Sequence, residues 1–476
     1  MTQIERINTD KISGDQPDQL NQRSIPEHWS WVKLGDISAK ITKGSTPTSY
    51  KFQYQSSGVK FIRTENIDSE GKVFGITKFI NDEANNFLKR SQLKEKDILF
   101  SIAGTIGRVG VVSKNDIPAN TNQALAIIRL INSNVLHPFI YYYLTSPIVQ
   151  SIAQKRIAGV GRANISLIDV SAFQIPLPPL AEQKKIVEKI EELFSGLDSG
   201  VASLKKAKEQ IKLYRQSVLA AAFSGRLHQD STDSRIDKIK EKKSAKSKNP
   251  VNSNPDNQNP ENPLIPANPG SDNLPVGWKW VKLGEVSLKI GDVDHKMPKS
   301  VENGKYPYLS TKDLTDDFKI NFDNAKRISE NDFHQLSKKI KPERGDIIFS
   351  RYGTIGRNVL VETDIDFLVS YSCAIIKPDS KMITSKYLYL YTLSPLIKSE
   401  IKKYTVQTTQ ANVGISSINN FIVPLPSKEI QQQIVLEIEK RFSEADNLEK
   451  AIDDSLAKSE LLRQSILSQA FSGKLV

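Results

Sequence analysis

Two short polar segments near the amino end of the chain carry side chains that could contact a nucleic acid. Residues 40–47 read Lys-Ile-Thr-Lys-Gly-Ser-Thr-Pro, and residues 61–67 read Phe-Ile-Arg-Thr-Glu-Asn-Ile. Cationic side chains pair with phosphates, while hydroxyl and amide groups hydrogen-bond to phosphates and base edges. For any single residue a solvated polar loop is the simpler interpretation, so only the cluster indicates a binding surface. The candidates are Lys43, Ser45, Thr46, Arg63, Thr64 and Asn66.

A glycine-containing turn further along the chain adds another cation. Residues 104–108 read Gly-Thr-Ile-Gly-Arg between two apolar runs that are typical of strands. The segment lacks the GxxxxGK[ST] spacing of a loop that cradles nucleotide phosphates. We therefore interpret it as a turn joining two strands, with Arg108 a candidate for contact with a DNA phosphate. Arg162 and Asn164 lie in a polar turn before the last strand and are further candidates.

One weak pattern would allow metal-dependent catalysis instead. Pro378-Asp379 and Glu400-Ile401-Lys402 match the loose PD…ExK spacing of nucleases in which two carboxylates hold magnesium. Glu400 and Lys402 fall in a stretch with helical apolar spacing, however, which favours a structural role. The five histidines show no ligand spacing, and neither an NPP(Y/F) methyltransferase loop nor a GxGxxG loop occurs. A nuclease is therefore only an alternative.

The polar segments belong to a unit that occurs twice. Residues 96–108 (KDILFSIAGTIGR) recur as 345–357 (GDIIFSRYGTIGR), an offset of 249. A period of this length indicates a duplicated domain and not a solenoid. The polar loops differ between the copies, so shared residues should serve the fold or contact phosphates, and unshared ones should read bases. The candidates in the second copy are Lys296, Ser310, Thr311, Lys312, Arg351, Arg357 and Asn412.

Each copy is followed by a stretch with the pattern of a long helix. In residues 180–227 one apolar line recurs every seven positions, as expected of a helix that packs along another helix. A weaker line runs three residues later, and residues 427–475 should form the partner helix. The apolar line consists of Ile190, Leu197, Leu204, Ile211 and Val218, and the weaker one of Leu193, Ala207 and Tyr214.

Both predicted helices end alike, in RQSVLAAAFSGRL and RQSILSQAFSGKL. This likeness exceeds what a seam between helices needs, so it predicts a surface that binds a partner protein. The candidates are Arg215, Gln216, Phe223, Arg463, Gln464 and Phe471.

Composition narrows the class of protein. The single cysteine, Cys373, excludes disulfides and cysteine-based zinc sites, and the apolar runs are too short to span a membrane. No signal sequence is visible, so we expect a cytoplasmic protein. The net charge of +12 permits nucleic-acid binding without proving it. Residues 228–273 contain six prolines and few apolar residues and predict a flexible linker, and residues 1–24 predict a flexible arm.

The combination of Trp…Leu-Gly, GDIIFS…GTIGR, IPLPPLAEQ and RQS(I/V)L…AFSG(R/K)L, shared in outline by the two copies, resembles the specificity subunit of type I restriction–modification systems. The resemblance covers residues 25–476. It implies an α+β fold with two target recognition domains, 25–178 and 274–426. It also implies two long helices, 179–227 and 427–476, that separate the domains and pair as an antiparallel coiled coil.

The resemblance further implies the partners of the chain. They would be double-stranded DNA, two methyltransferase subunits and the restriction subunits that translocate and cut. It implies no catalytic residue and no metal in this chain, with S-adenosylmethionine, ATP and Mg²⁺ used by the partner subunits. A coiled-coil adaptor that does not read DNA is a second alternative.

Symmetry supports the same expectation. Two like units related by a two-fold axis of the duplex present equivalent faces to two half-sites. The units differ in sequence, so the target should be bipartite and asymmetric. Its half-site centres should lie about one helical turn, roughly 10 bp, apart.

Overall fold

The computed structural model describes residues 25–131, 134–158, 164–227, 274–293, 295, 297–315, 317–405 and 411–476. The chain divides into two compact units. The first unit is Met1–Leu204 with Asp453–Val476, and the second is Lys205–Ile452. The predicted arm 1–24 and linker 228–273 lie outside the described residues, as do the candidates Arg162 and Lys296.

The first unit contains three small sheets and several helices, as the predicted α+β class requires. Its strands are β1 (Ser30–Lys33), β2 (Ser38–Lys43), β3 (Val59–Ile62), β4 (Phe79–Ile80), β5 (Ile98–Ser101), β6 (Val109–Val111), β7 (Ala119–Thr121), β8 (Leu125–Leu130) and β9 (Gln174–Leu177). Its helices are α1 (Asp82–Phe87), α2 (His137–Thr145), α3 (Pro147–Ala158), α4 (Leu167–Ser171) and the start of α5 (Leu180–Phe223).

The strand pairing of the first unit explains its hydrophobic pattern. The sheets have the orders β1-β9, β2-β8-β5-β6 and β4-β3-β7. All four residues of β5 are buried, and so are five of the six in β8. Because these two strands are covered on both faces, they are mostly apolar and lack polar alternation, with Ser101 and Arg129 as their polar residues. Phe100 of β5 meets Phe173 edge to face at 5.6 Å in the core beside them.

The second unit repeats this architecture. Its strands are β10 (Lys279–Lys282), β11 (Ser287–Gly291), β12 (Tyr306–Leu309), β13 (Lys326–Ile328), β14 (Ile347–Ser350), β15 (Asn358–Leu360), β16 (Leu368–Val369), β17 (Cys373–Pro378) and β18 (Ile422–Leu425). Its helices are α6 (Glu330–Ser337), α7 (Ser385–Thr392), α8 (Pro395–Tyr404), α9 (Ile415–Asn419) and the start of α10 (Lys428–Ala470). The sheet orders β10-β18, β11-β17-β14-β15 and β13-β12-β16 match those of the first unit strand by strand, which confirms the predicted duplication.

The two long helices each contribute residues to both units. In the second unit they run antiparallel, because Lys208 pairs with Glu449 at 3.8 Å while Arg215, further along α5, pairs with the earlier Asp446 at 2.7 Å. The predicted apolar line is buried at Ile190, Ile211 and Val218, and Leu197 and Leu204 are half-buried. Tyr214 of the second line is 42% exposed, so that line does not hold to its end.

Within the described residues no helix is long and apolar enough to cross a membrane. The only cysteine of the sequence, Cys373, opens β17 and is fully buried. Desolvation raises the pKa of its thiol to about 12. The thiolate is the reactive form of cysteine, so at neutral pH this group is both hidden and protonated.

We therefore expect Cys373 to resist alkylation while the second unit is folded. Iodoacetamide at neutral pH should label the chain only when denaturant is added, as measured by intact mass. Prompt, stoichiometric labelling without denaturant would contradict the packing of β17. The same reaction then serves as a probe of unfolding of the second unit.

Candidate nucleic-acid interface

The structure brings the predicted polar segments of the first unit together. The Arg108 guanidinium donates from Nη1 to the carbonyl oxygens of Thr64 at 3.0 Å and Ile67 at 3.1 Å. Ala103, one residue before the glycine turn, forms an isolated bridge with Asn164. Three segments that are far apart in sequence therefore adjoin one another.

The Gly-Thr-Ile-Gly-Arg segment is the predicted turn between two strands, β5 and β6. Ser101 at the end of β5 closes it: its hydroxyl donates to the Thr105 carbonyl at 2.5 Å and accepts from the Arg108 N–H at 2.7 Å. Gly104 and Gly107 have φ of +73° and +91°, a region that favours glycine. The second unit makes the same two bonds from Ser350, to Thr354 at 2.5 Å and from Arg357 at 2.8 Å.

Arg108 and Arg357 were predicted to contact phosphates, but in the structure both guanidinium groups hydrogen-bond to backbone carbonyl oxygens. Arg357 donates to the Leu314 carbonyl at 2.9 Å, as Arg108 does to the equivalent turn. Each guanidinium therefore anchors a short 3₁₀ turn, Thr64–Asn66 or Thr311–Asp313. We interpret these arginines as positioning residues for the turns that carry the candidate base contacts.

This interpretation predicts a distinct outcome for Arg108→Met. Removing hydrogen bonds from a charged group costs about 1.5–3 kcal/mol, so the melting temperature should fall and discrimination in one half-site should weaken. The salt dependence of DNA binding should stay unchanged, whereas loss of a phosphate contact would lower its slope by about 1. Exposed Lys114, changed to Met, is the control for loss of one positive charge. A lower slope with an unchanged melting temperature would restore the phosphate role.

Two residues that were predicted to contact bases, Asn66 and Ser310, use their side chains for hydrogen bonds within the protein. Asn66 is 4% exposed; its Oδ1 accepts from the Arg63 N–H at 3.0 Å, and its Nδ2 donates to the carbonyls of Phe74 and Gly75 at 3.2 and 2.9 Å. Because its hydrogen-bonding groups are occupied inside the protein, the prediction that it reads a base is wrong. Ser310 is similarly tied by its hydroxyl to Asp313 at 3.0 Å.

Other residues of the turns remain accessible. Arg63 is half-buried and forms an ion pair with Glu65 at 2.7 Å, an exposed contact that DNA could displace. Lys312 is exposed and Thr311 is half-buried. The Thr64 hydroxyl is buried without a hydrogen-bond partner. Arg63 and Lys312 are therefore the cations that these turns offer.

The loop after β2 lies against the segment that leads from β7 into β8. The Ser45 N–H donates to the Thr121 carbonyl at 3.2 Å, and the hydroxyl of Thr46 hydrogen-bonds Oε1 of Gln123. A Cβ at Gly44 would come within 2.0 Å of the Thr121 oxygen, so this close approach requires glycine. Lys43 at the end of β2 is exposed.

The corresponding loop of the second unit has different chemistry. Asp292 is 6% exposed and pairs with Arg351 at 3.2 Å and with Lys339 at 3.0 Å. Arg351 is 5% exposed and covered by the ring of Tyr352 at 4.6 Å, so the prediction that it contacts DNA directly does not hold. Its Nε and Nη1 are buried without partners. Tyr352 bridges to Asn412, the counterpart of Asn164.

Sequence reasoning missed Arg90, beside the loop after β2, and Lys339, beside the loop after β11. Lys40 donates to the Arg90 carbonyl at 2.8 Å, and Arg90 reaches the Ser45 hydroxyl at 3.4 Å. In the second unit Lys289 donates to the Lys339 carbonyl, and Lys339 reaches Asp292. Arg90 and Lys339 lie in segments where the two copies share little sequence. Only the common hydrogen-bond scheme identifies them as equivalent.

The structure places the predicted partner-binding residues within the units. Phe223 packs on Tyr387 and Tyr391 with ring centroids 5.2 Å apart, and Phe471 packs on Phe139 and Tyr143 at 5.2 and 4.9 Å. Both phenylalanines are at most 1% exposed, so the prediction that they bind a partner protein does not hold. The shared ending of the helices is explained by this packing inside the chain.

The remaining four partner candidates lie on the helices. Arg215 pairs with Asp446 and Glu449, and Arg463 pairs with Asp198 and covers the Phe194 ring at 4.3 Å. Gln216 accepts a hydrogen bond from Lys398 at 3.1 Å. Gln464 is exposed. The contacts of Arg215, Gln216 and Arg463 fix the helices within each unit.

The residues of the nuclease alternative do not form a metal site. Glu400 lies on the buried face of α8, is 2% exposed and accepts from the Ile422 N–H at 3.3 Å. Asp379 lies in the loop after β17 and caps the Lys381 N–H at 2.9 Å. Across the described ranges no three His, Cys, Asp or Glu side chains lie close enough together to hold a metal ion. The alternative has no support.

Comparisons with known proteins agree with the presence of two repeated units. A family model described as the type I restriction modification DNA specificity domain matches twice, at residues 26–212 and 275–458. The EcoBI type I restriction enzyme specificity subunit of Escherichia coli is 27% identical over 461 residues, covering 94% of this chain and 87% of that protein. The StySPI specificity subunit of Salmonella potsdam is 25% identical over 473 residues, covering 96% and 91%.

A solved structure has a similar fold. It comes from work described as the structural basis of complex assembly and conformational transition of the type I R-M system. The TM-score is 0.63 at 21% identity, with 95% of this chain and 99% of that chain covered.

Proposed function

Because the chain belongs to the type I restriction modification DNA specificity family, we propose that each of its two units reads one half of an asymmetric, bipartite DNA sequence. Members of this family are noncatalytic subunits that direct DNA target recognition, and they need no cofactor of their own. The finer assignment, one half-site to each unit, is the proposal.

The observation that carries the proposal is the same scaffold with different polar side chains. The two units share their strand order and the serine-closed glycine turn. At the same position of their 3₁₀ turns, the exposed residue is Glu65 in the first unit and Lys312 in the second. A common frame with different exposed chemistry is what two readers of different base sequences require.

The two long helices are proposed to set the distance between the half-sites and to dock two methyltransferase subunits, with restriction subunits joining the complex. Large apolar side chains on these helices face solvent, among them Leu213, Leu436, Leu448 and Leu461, each at least 60% exposed. These side chains are the ones through which an apolar contact with a methyltransferase subunit would form. S-adenosylmethionine, ATP and Mg²⁺ would act in those partners, in the cytoplasm where the chromosome lies.

Sequencing that detects methylated bases tests the proposal. A host that makes this chain with its methyltransferase subunit should carry one bipartite methylated motif, with two unlike halves and half-site centres about one helical turn, roughly 10 bp, apart. Omitting this chain should abolish the motif while the methyltransferase remains present. An uninterrupted motif, or methylation that persists without this chain, would overturn the proposal.

A further inference from the structure

Gln123 and Tyr371 occupy the same position in the two units. In the first unit Ile98 pairs with Ile128, and in the second Ile347 pairs with Ile376. Gln123 and Tyr371 each lie five residues before the second partner. The next residue in each unit accepts the same bond, from Ile102 to Ala124 at 2.8 Å and from Arg351 to Ser372 at 2.9 Å. The equivalence therefore rests on register and not on sequence similarity.

In the first unit this position presents an amide. Gln123 is exposed, and its Oε1 accepts from the Thr46 hydroxyl. Thr46 is held by the close approach of Gly44 to the Thr121 carbonyl. This bond fixes the plane of the amide and leaves its NH₂ group and one acceptor lone pair for another partner.

In the second unit the same position presents an aromatic ring. Tyr371 is half-buried, with the His295 ring stacked on it at 4.6 Å and 26° and the Tyr352 ring edge-on at 5.8 Å. Tyr352 is itself held over the Arg351 guanidinium. His295 comes from the loop after β11, as Thr46 comes from the loop after β2. Both units thus use one loop to orient the side chain that precedes the central strand.

The two side chains suit different base pairs. A glutamine amide matches the adenine edge, accepting from N6 and donating to N7. A tyrosine has a single hydroxyl and not the side-by-side donor and acceptor of an amide, while its ring contacts apolar groups such as the methyl group of thymine.

We propose that Gln123 and Tyr371 are specificity-determining residues, each selecting one base pair in its own half-site. Gln123 selects adenine through its amide, and Tyr371 selects thymine through its ring. Thr46 and His295 act as positioning residues. This inference rests on the proposed function and adds the residues that carry part of it.

Base substitution along the target tests the proposal in the intact complex with the methyltransferase. Fluorescence anisotropy would compare the parental DNA with variants at every position of both half-sites. Gln123→Ala should reduce discrimination at one position by roughly 5- to 150-fold and leave the others unchanged. Tyr371→Ala should do the same at one position in the other half-site. Gln154→Ala, at an exposed glutamine on α3 outside these loops, should change nothing.

A charge substitution separates base reading from a purely structural role. Gln123→Glu keeps the shape of the side chain but replaces a donor with an acceptor, so preference at that position should move from adenine to cytosine. Thr46→Val should weaken the preference at the same position without changing which base is preferred. An altered fold cannot produce such a switch at one position, and thermal melts of all variants would register a loss of stability directly.

The results distinguish failure of this inference from failure of the proposed function. If the motif is bipartite and depends on this chain, but Gln123→Ala and Gln123→Glu leave every position as it was, only this inference is overturned. Loss of discrimination at positions in both half-sites from one substitution would overturn it as well. If no bipartite motif depends on this chain, the proposed function itself fails.

Discussion

Replacing Ile438 with aspartate is expected to unfold the second unit under conditions in which the parent chain is folded. Ile438 of α10 is completely buried in the core that also contains Phe223, Tyr387 and Ile434. An unpaired carboxylate at such a site costs several kcal/mol, or the group must take up a proton. Because a domain is stable by only about 5–15 kcal/mol, one such substitution removes a large share of the stability of the unit.

Leu436→Asp is the matched control for this prediction. It introduces the same residue two positions earlier in α10, but Leu436 is 67% exposed. Both substitutions add the same negative charge to the helix. Leucine is the better helix former of the two residues replaced, so a larger effect at Ile438 must come from burial. Iodoacetamide labelling of Cys373 without denaturant should become fast in Ile438→Asp and stay slow in Leu436→Asp. Equal labelling of the two variants would show that α10 does not complete this core.

The periodicity of α5 was predicted only in part from the sequence. The line through Ile190, Ile211 and Val218 is buried as predicted, whereas the second line fails at Tyr214. A straight α-helix drifts about 20° per heptad against a strict seven-residue repeat. Over the three heptads from Leu193 the second line therefore turns away from the interface. The seven-residue period predicts that α5 packs along another helix. It does not determine which of the two apolar lines faces that helix at each end of α5.

The duplicated fold was accessible from sequence because apolar strands and glycine turns are local signals. Sequence alone did not show which polar residues stabilise the fold and which remain accessible for binding DNA. Asn66 and Arg63 are equally good base readers by residue type, yet one is consumed by capping a turn and the other is accessible. Hydrogen-bonding groups satisfy the fold first, since an unpaired buried polar group costs about 1–3 kcal/mol. Contacts between segments that are far apart in sequence decide which polar residues remain available to bind DNA.

The same limit applies to the helix endings. Identical Arg-Gln-Ser and Ala-Phe-Ser-Gly motifs predicted a surface for a partner protein, but Phe223 and Phe471 each fill a pocket inside the chain. Repetition of a motif shows that two copies make the same contact; it does not show whether that contact lies within the chain or outside it. Gln123 and Tyr371 present the reverse case, because their equivalence is hidden by unlike side chains.

Exchange of one recognition domain should have the largest effect on function. A chimera that takes residues 25–178 from a related subunit with a known target is expected to methylate a new motif in which one half has changed completely. The other half and the spacing should persist, because residues 274–426 and both long helices are retained. The exchanged segment must keep aromatic residues at the positions of Phe139 and Tyr143, since these pack on Phe471, which directly follows the retained α10.

The reciprocal chimera, with residues 274–426 exchanged, supplies the matched control and should change only the opposite half. We expect modular reading because the turns, their anchoring arginines and the loops beside β8 and β17 are all held by contacts within one unit. If both halves change together in either chimera, or if the gap shifts, base choice cannot lie in the separate units. Specificity would then arise only in the assembled complex, and the unlike polar loops would owe their divergence to something other than the sequence that they read.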